Sequence, residues 1–166
     1  MLDIEIDKLT NSVELAVSGE TFNTLVLPLH SIPKKGFRKR DWLFDWGKEM
    51  SEAGRRVFKL VTADDMNLIL GLISISHYQD HTFMHLIESA KFNKGPQKRY
   101  LGVAGNLIAY ACKEAFENGF SGIVVFESKT SLITYYQKAI GAKILSGHRM
   151  FIDSKESYLL VKQYFK

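Results

Sequence analysis

Residues 98–107 read KRYLGVAGNL, and their setting decides the architecture. After them, Leu107, Ile108, Ala111, Cys112, Ala115 and Phe116 recur at steps of three and four, the stripe of a helix packed on a sheet, and Gly119 is placed to close it. Before them, TFMHLIES at 82–89 reads as a strand. A small-residue turn between strand and helix leaves the first helical amides unpaired, and those N–H groups with the aligned backbone dipoles attract an anion. Gly102, Ala104 and Gly105 would let a phosphate reach the backbone, with Lys98 and Arg99 adding charge. The same small residues would equally permit close helix–sheet packing. Neither the GxxxxGK[ST] phosphate loop nor the dinucleotide GxGxxG spacing is present.

Working outward, TFNTLVLPL at 21–29 favours a strand that Pro28 sends to a sheet edge or end. Residues 41–55 suggest a short helix carrying Trp42 and Trp46 on one side. VFKLVT at 57–62 and LILGLISIS at 68–76 suggest a hairpin across ADDMN. Downstream, GIVVFES at 122–128 reads as a buried strand and SLITYYQKAI at 131–140 as a helix ended by Gly141. RMFI and SYLLVKQYF then read as two antiparallel strands joined by the polar turn DSKE. The expectation is an α/β (or α+β) fold: one domain over 1–166, built on a single mixed, mostly antiparallel twisted sheet with helices on both faces.

Arg99-Tyr100-Leu101-Gly102-Val103-Ala104 fits the pattern Q/R-x-x-G-x-G/A, with Leu107 at the apolar position one turn later, and SLITYYQKAIGAKI at 131–144 places an aromatic pair on a helix ending at glycine. In these segments the chain resembles the GNAT family of acyl-coenzyme A dependent N-acyltransferases, from about residue 57 onward; the first 40 residues carry no family signal. The resemblance implies acetyl-coenzyme A as cosubstrate. It also implies that the backbone of Arg99, Tyr100, Leu101, Gly102, Val103, Ala104, Gly105 and Asn106 grips the coenzyme A diphosphate, with Asn106 a weak side-chain contact. Tyr136 or Tyr135 would protonate the departing thiolate; one residue more than the common spacing separates Tyr136 from Gly141 and leaves the choice open.

Acyl transfer to an amine requires the ammonium proton to leave before nitrogen attacks. Glu88 ends the strand before the turn, where the resemblance would put the thioester, and is the first candidate base, beside a surface glutamate as the plain alternative. His85, three residues earlier, should face the other side of a regular strand. His77, His81 and His85 have helical rather than strand spacing for a zinc site, so no metal is expected. Cys112 lies in the apolar stripe and reads as a buried, inert thiol, which favours direct attack by the amine. The loop of Ser128, Lys129, Thr130 and Ser131 could touch the adenosine phosphate or cap a helix, and Asn93 is left unassigned.

With 166 residues, 46% apolar and 24% charged, the chain suits one globular core, and no apolar run is long enough to span a bilayer. A cytoplasmic protein is expected, acting on an amine-bearing small molecule or protein, with a homodimer through terminal strands left open. The net charge of +4 is concentrated in Lys34, Lys35, Arg38, Lys39 and Arg40, which Pro33 and Gly36 break up. Nucleic acid is therefore disfavoured as a partner. The competing readings are a module that binds acyl-coenzyme A without transfer and a nucleic-acid interaction module.

Overall fold

The computed structural model describes residues 1–9, 12–34, 37–96 and 98–165; Lys35 and Gly36 of the basic run lie outside the described residues. Strands β1 (Val13–Leu15), β2 (Thr21–Phe22) and β3 (Thr24–Leu29) come first, followed by helix α1 (Trp46–Ser51). The central part comprises β4 (Arg56–Thr62), β5 (Gly71–His77), β6 (Thr82–Ser89), β7 (Tyr100–Leu101) and α2 (Val103–Glu117). The chain continues through β8 (Val124–Glu127), α3 (Ile133–Ile140), β9 (Lys143–Ser146), β10 (Arg149–Ile152) and α4 (Ser154–Tyr164).

The main sheet has seven strands in the order β3-β4-β5-β6-β8-β10-β9, and a small second sheet has the order β2-β1-β7. Every pair in the main sheet is antiparallel except β6 with β8. Pro28 lies on the edge strand β3, where a missing N–H does least harm. One face is covered by α2, whose Val103, Leu107, Ile108, Ala111 and Cys112 share a core with Ile73, Ile75, Met84 and Phe126. Close approach requires Gly71: a β-carbon there would lie 2.7 Å from Val103 Cγ1 and 3.1 Å from the Glu88 carbonyl. The other face carries Trp42, Trp46, Val57, Ile69 and Leu72. Each large apolar side chain so buried stabilises the fold by roughly 1.5–3 kcal/mol.

Two sequence expectations are corrected. SYLLVKQYF belongs to helix α4, because Asp153 caps it by accepting from the Glu156 amide at 3.0 Å. DSKE is thus a helix start, and Ser157, Leu160 and Tyr164 are buried at helical spacing. The helix expected to carry both tryptophans begins only at Trp46, capped by Asp45; Trp42 follows a single 3-10 turn, Lys39–Asp41, and meets Trp46 edge to face at 6.5 Å.

Strands β6 and β8 pair only through Thr82↔Val124, Phe83↔Val125 and Met84↔Phe126, and then part. In the β5–β6 ladder, Ser74 pairs with Leu86 and Ile75 with Met84, so His85 is an extra, bulged residue where the two strands separate.

Candidate active site

The turn leading into α2 is clamped from within. Asn93 Oδ1 accepts from the Arg99 amide at 3.1 Å and the Tyr100 amide at 2.7 Å, while its Nδ2 donates to the Tyr100 carbonyl at 3.0 Å. Gly102 then adopts φ 95°, the left-handed region, which turns the chain into the helix. Asn106 Nδ2 donates to the Gly102 carbonyl at 2.7 Å, and its Oδ1 accepts from Thr24 Oγ1 at 3.1 Å. The Asn106 amide donates to the same Gly102 carbonyl at 3.0 Å. Of the eight residues expected to grip the diphosphate, Arg99, Tyr100 and Asn106 use their amides internally here, Tyr100 and Leu101 pair with β1, and the Asn106 side chain bonds the Gly102 carbonyl. The helix start itself remains, with the amides of Gly102, Val103, Ala104 and Gly105.

That helix start is covered by the first residues of the chain. The Gly102 amide donates to Asp7 Oδ1 at 3.1 Å, and Lys98 Nζ donates to Asp7 Oδ2 at 3.1 Å. A β-carbon on Gly105 would run into the Tyr164 hydroxyl and lie 3.4 Å from Leu9 Cδ2. From Asp7 the segment runs back between the parted strands. The Tyr135 hydroxyl accepts from the Ile6 amide at 2.6 Å and donates to the Ile6 carbonyl at 3.1 Å. Tyr136 does the same with Ile4, at 3.0 and 2.7 Å. Leu2 forms a parallel bridge to Ser128, its amide donating to the Glu127 carbonyl at 2.5 Å and its carbonyl accepting from the Lys129 amide at 3.1 Å. Met1 N reaches the His85 carbonyl at 3.5 Å. Leu2, Ile4 and Ile6 turn toward the core, while Asp3 and Glu5 are exposed. Asp3 pairs with Lys129 at 2.5 Å.

Tyr135 and Tyr136 meet the segment at two successive points, Ile6 and Ile4 respectively. Burial pushes the Tyr136 phenol well above its ordinary range, outweighing the bond to Ile4, so its hydroxyl is held protonated.

Glu88 is 2% exposed and its oxygens are occupied. Oε2 accepts from the Leu43 amide at 2.7 Å and Lys94 Nζ at 3.3 Å; Oε1 accepts from the Phe44 amide at 3.2 Å and Trp46 Nε1 at 2.9 Å. Four donors fill the acceptor positions of a carboxylate, which ties residues 43–46 to β6. A cavity of 260 Å³ remains beside it, lined among others by Ile4, Glu5, Phe44, Glu88 and Lys98.

The bulge overturns the expectation that His85 faces away from Glu88. His85 packs on Phe83 at 4.8 Å and binds Ser76 Oγ at 2.7 Å; with Phe44, Glu49 and Arg55 it lines a second cavity, of 320 Å³. Since Ser76 Oγ donates to the Gly54 carbonyl at 2.8 Å, it accepts from a proton on His85 Nε2. Desolvation, assisted by Arg55, lowers the His85 pKa to about 4, so the ring is neutral at physiological pH.

No protein-family model matches the sequence, and none of the curated proteins matches it significantly. Solved structures do match. A bacterial toxin aligns over 87% of this chain and 98% of its own at 12% identity, with a TM-score of 0.61. AtaTR bound with acetyl-coenzyme A aligns over 83% and 98% at 14% identity and 0.53, and AtaT complexed with acetyl-methionyl-tRNAfMet over 83% and 99% at 14% and 0.57. The chain has the GNAT acyltransferase fold.

Within this GNAT fold, Tyr136, Tyr135 and the start of α2 border one groove, and Glu88 borders the adjoining cavity. Cys112 is fully buried and its thiol is pushed up to about 12 by desolvation, as suits an inert core residue. His77 binds Thr82 and His81 binds Asp80, and no metal-ligating cluster occurs among the described residues. Among them, too, no helix is long and apolar enough to cross a membrane. Sequence reasoning missed two features: the Asn93 clamp, a lone loop asparagine in the sequence, and the period-two alternation of Leu2-Asp3-Ile4-Glu5-Ile6-Asp7.

Proposed function

We propose that the chain is an N-acetyltransferase that uses acetyl-coenzyme A and a primary amine, with the groove between β6 and β8 as the cofactor path. The observation that carries this reading is the arrangement at the two ends of one groove: a left-handed Gly102 opening α2 beside Lys98, its amide held by the Asp7 carboxylate, and the Tyr136 hydroxyl further along. The chemistry of the groove fits the cosubstrate: a positive amide end for the diphosphate and an apolar middle for the pantetheine arm. The fit requires residues 1–9 to leave the groove.

Bound acetyl-coenzyme A supplies an activated acyl carbon. The amine nitrogen forms the new C–N bond as the C–S bond breaks, and Tyr136 donates its proton to the thiolate. Withdrawal of residues 1–9 reduces the burial that raises the phenol, which makes that donation easier. Glu88, with its oxygens filled, acts as a positioning residue that fixes residues 43–46; it replaces the base role expected from the sequence. His85, with its pKa near 4, is too weak a base for an ammonium group. The amine proton passes to bulk water through the cavity beside Glu88, and Tyr136 regains a proton from solvent, which closes the cycle.

A neighbour complexed with a charged tRNA brings nucleic-acid-borne amines back among the acceptors to be tried. Labelled acetyl-coenzyme A incubated with small amines, peptides and aminoacyl-tRNA should yield one acetylated class. Binding of acetyl-coenzyme A with no transfer across that panel would instead support the non-catalytic module, which the filled groove also favours.

A further inference from the structure

We infer that residues 1–9 are an intramolecular competitor for the acyl-coenzyme A groove, an autoinhibitory strap that has to be displaced before cofactor enters; this rests on the cofactor path proposed above. The strap occupies the groove at both ends and in the middle. At one end Asp7 puts a carboxylate on the Gly102 amide and on Lys98, where an anionic diphosphate would bind. In the middle, Ile6 and Ile4 each offer an amide and a carbonyl to a tyrosine hydroxyl, so the two groups nearest the expected chemistry are occupied by backbone. At the other end Leu2 makes a single parallel bridge to Ser128, just past β8, with Asp3 on Lys129, and Met1 N closes onto the bulged His85.

Charge and polarity follow the ligand class. Asp3, Glu5 and Asp7 alternate with Leu2, Ile4 and Ile6, giving one apolar edge for the groove, with Asp3 on Lys129 and Asp7 on Lys98. A strand added to a diverging pair gains main-chain bonds while its alternate side chains fill pockets. Such a strap is also removable. Fixing a peptide residue has an entropic penalty comparable to what its few contacts return, so the seated state is only moderately favoured. The apparent affinity for cofactor is the intrinsic affinity reduced by the fraction of molecules with the groove open.

The test uses the full chain. Amide hydrogen exchange at Ile4 and Ile6 is followed without and with saturating acetyl-coenzyme A, and affinity is measured by calorimetry for the wild type, Asp7→Ala and Leu2→Asp. A competing strap gives slow exchange in the free protein, at least tenfold faster exchange with acetyl-coenzyme A, and about tenfold tighter binding by either variant. Fast exchange in the free protein would overturn it. So would binding with Ile4 and Ile6 still protected, or equal affinity in all forms; the acetyltransferase reading would survive those results. No binding by the wild type or Leu2→Asp would overturn the cofactor path, and the strap's role with it. Exchange in the wild type decides the matter even where a variant fails to fold.

Discussion

The Tyr136 hydroxyl bonds both the amide and the carbonyl of Ile4, at 3.0 and 2.7 Å, so the residue assigned the proton-donor role is also a main anchor of the N-terminal segment. Tyr136→Phe breaks both bonds and leaves buried backbone groups unpaired. Stability should fall by about 1–3 kcal/mol in urea unfolding. Turnover should fall roughly 100-fold, the usual size of a lost general acid. Affinity for acetyl-coenzyme A should hold or improve, because the competing segment is loosened; a matching loss of affinity would contradict this assignment.

Glu88 separates two roles cleanly. Glu88→Ala strands the Leu43, Phe44 and Trp46 donors, and should cost about 2–4 kcal/mol with a red shift of tryptophan emission as residues 43–46 come free. Glu88→Gln keeps part of the bonding. A positioning role predicts an altered Trp46 environment with an unchanged pH profile of kcat. A well-folded Glu88→Gln with kcat lowered about 100-fold and the acidic limb of its pH profile lost would restore Glu88 as the base.

Gly102 and Gly105 should fail for different reasons. Gly102→Ala forces a β-carbon into the left-handed region, at about 1–2 kcal/mol. Gly105→Ala drives a methyl against the Tyr164 hydroxyl and should destabilise by about 1–3 kcal/mol through overpacking, relieved in part in Gly105→Ala/Tyr164→Phe, which keeps the ring carbon 3.0 Å away. Thermal unfolding of the single and double variants checks this; no recovery in the double variant would show that the contact is not the cause.

His85 gives a pH dependence of fixed sign. Its pKa is about 4 in the folded chain against an ordinary value of 6.5 for the unfolded one, so between those limits the unfolded state binds the extra proton. Its contribution is fully present above pH 6.5 and is lost as pH falls toward 4, at no more than about 1.4 kcal/mol per pH unit. His85→Gln should flatten the fall in Tm between those limits. An identical slope in the variant would assign the acid sensitivity to other groups.

The sequence carries the fold where periodicity is long and local. TFMHLIES coincides with β6, and the apolar stripe after Gly102 is α2. The site is less legible, and for physical reasons. SYLLVKQYF is short enough for its apolar residues to suit either period, and only the cap between Asp153 and Glu156 decides for a helix. The face of His85 depends on a bulge, which strand parity does not encode. Residues 2–7 alternate with the period of a strand, but their partners are Ser128, Tyr135, Tyr136 and Gly102, far along the chain. Strand periodicity puts Glu88 at the end of β6, where it lies, yet the donors that fill it come from residues 43–46, which no local pattern links to that strand.

The most direct measurement is a backbone amide NMR titration of the full chain with acetyl-coenzyme A, following Gly102, Val103, Ala104 and Gly105. These four resonances should shift together and saturably as Asp7 gives way to the diphosphate. Saturable binding that leaves all four unmoved would contradict the proposed cofactor path.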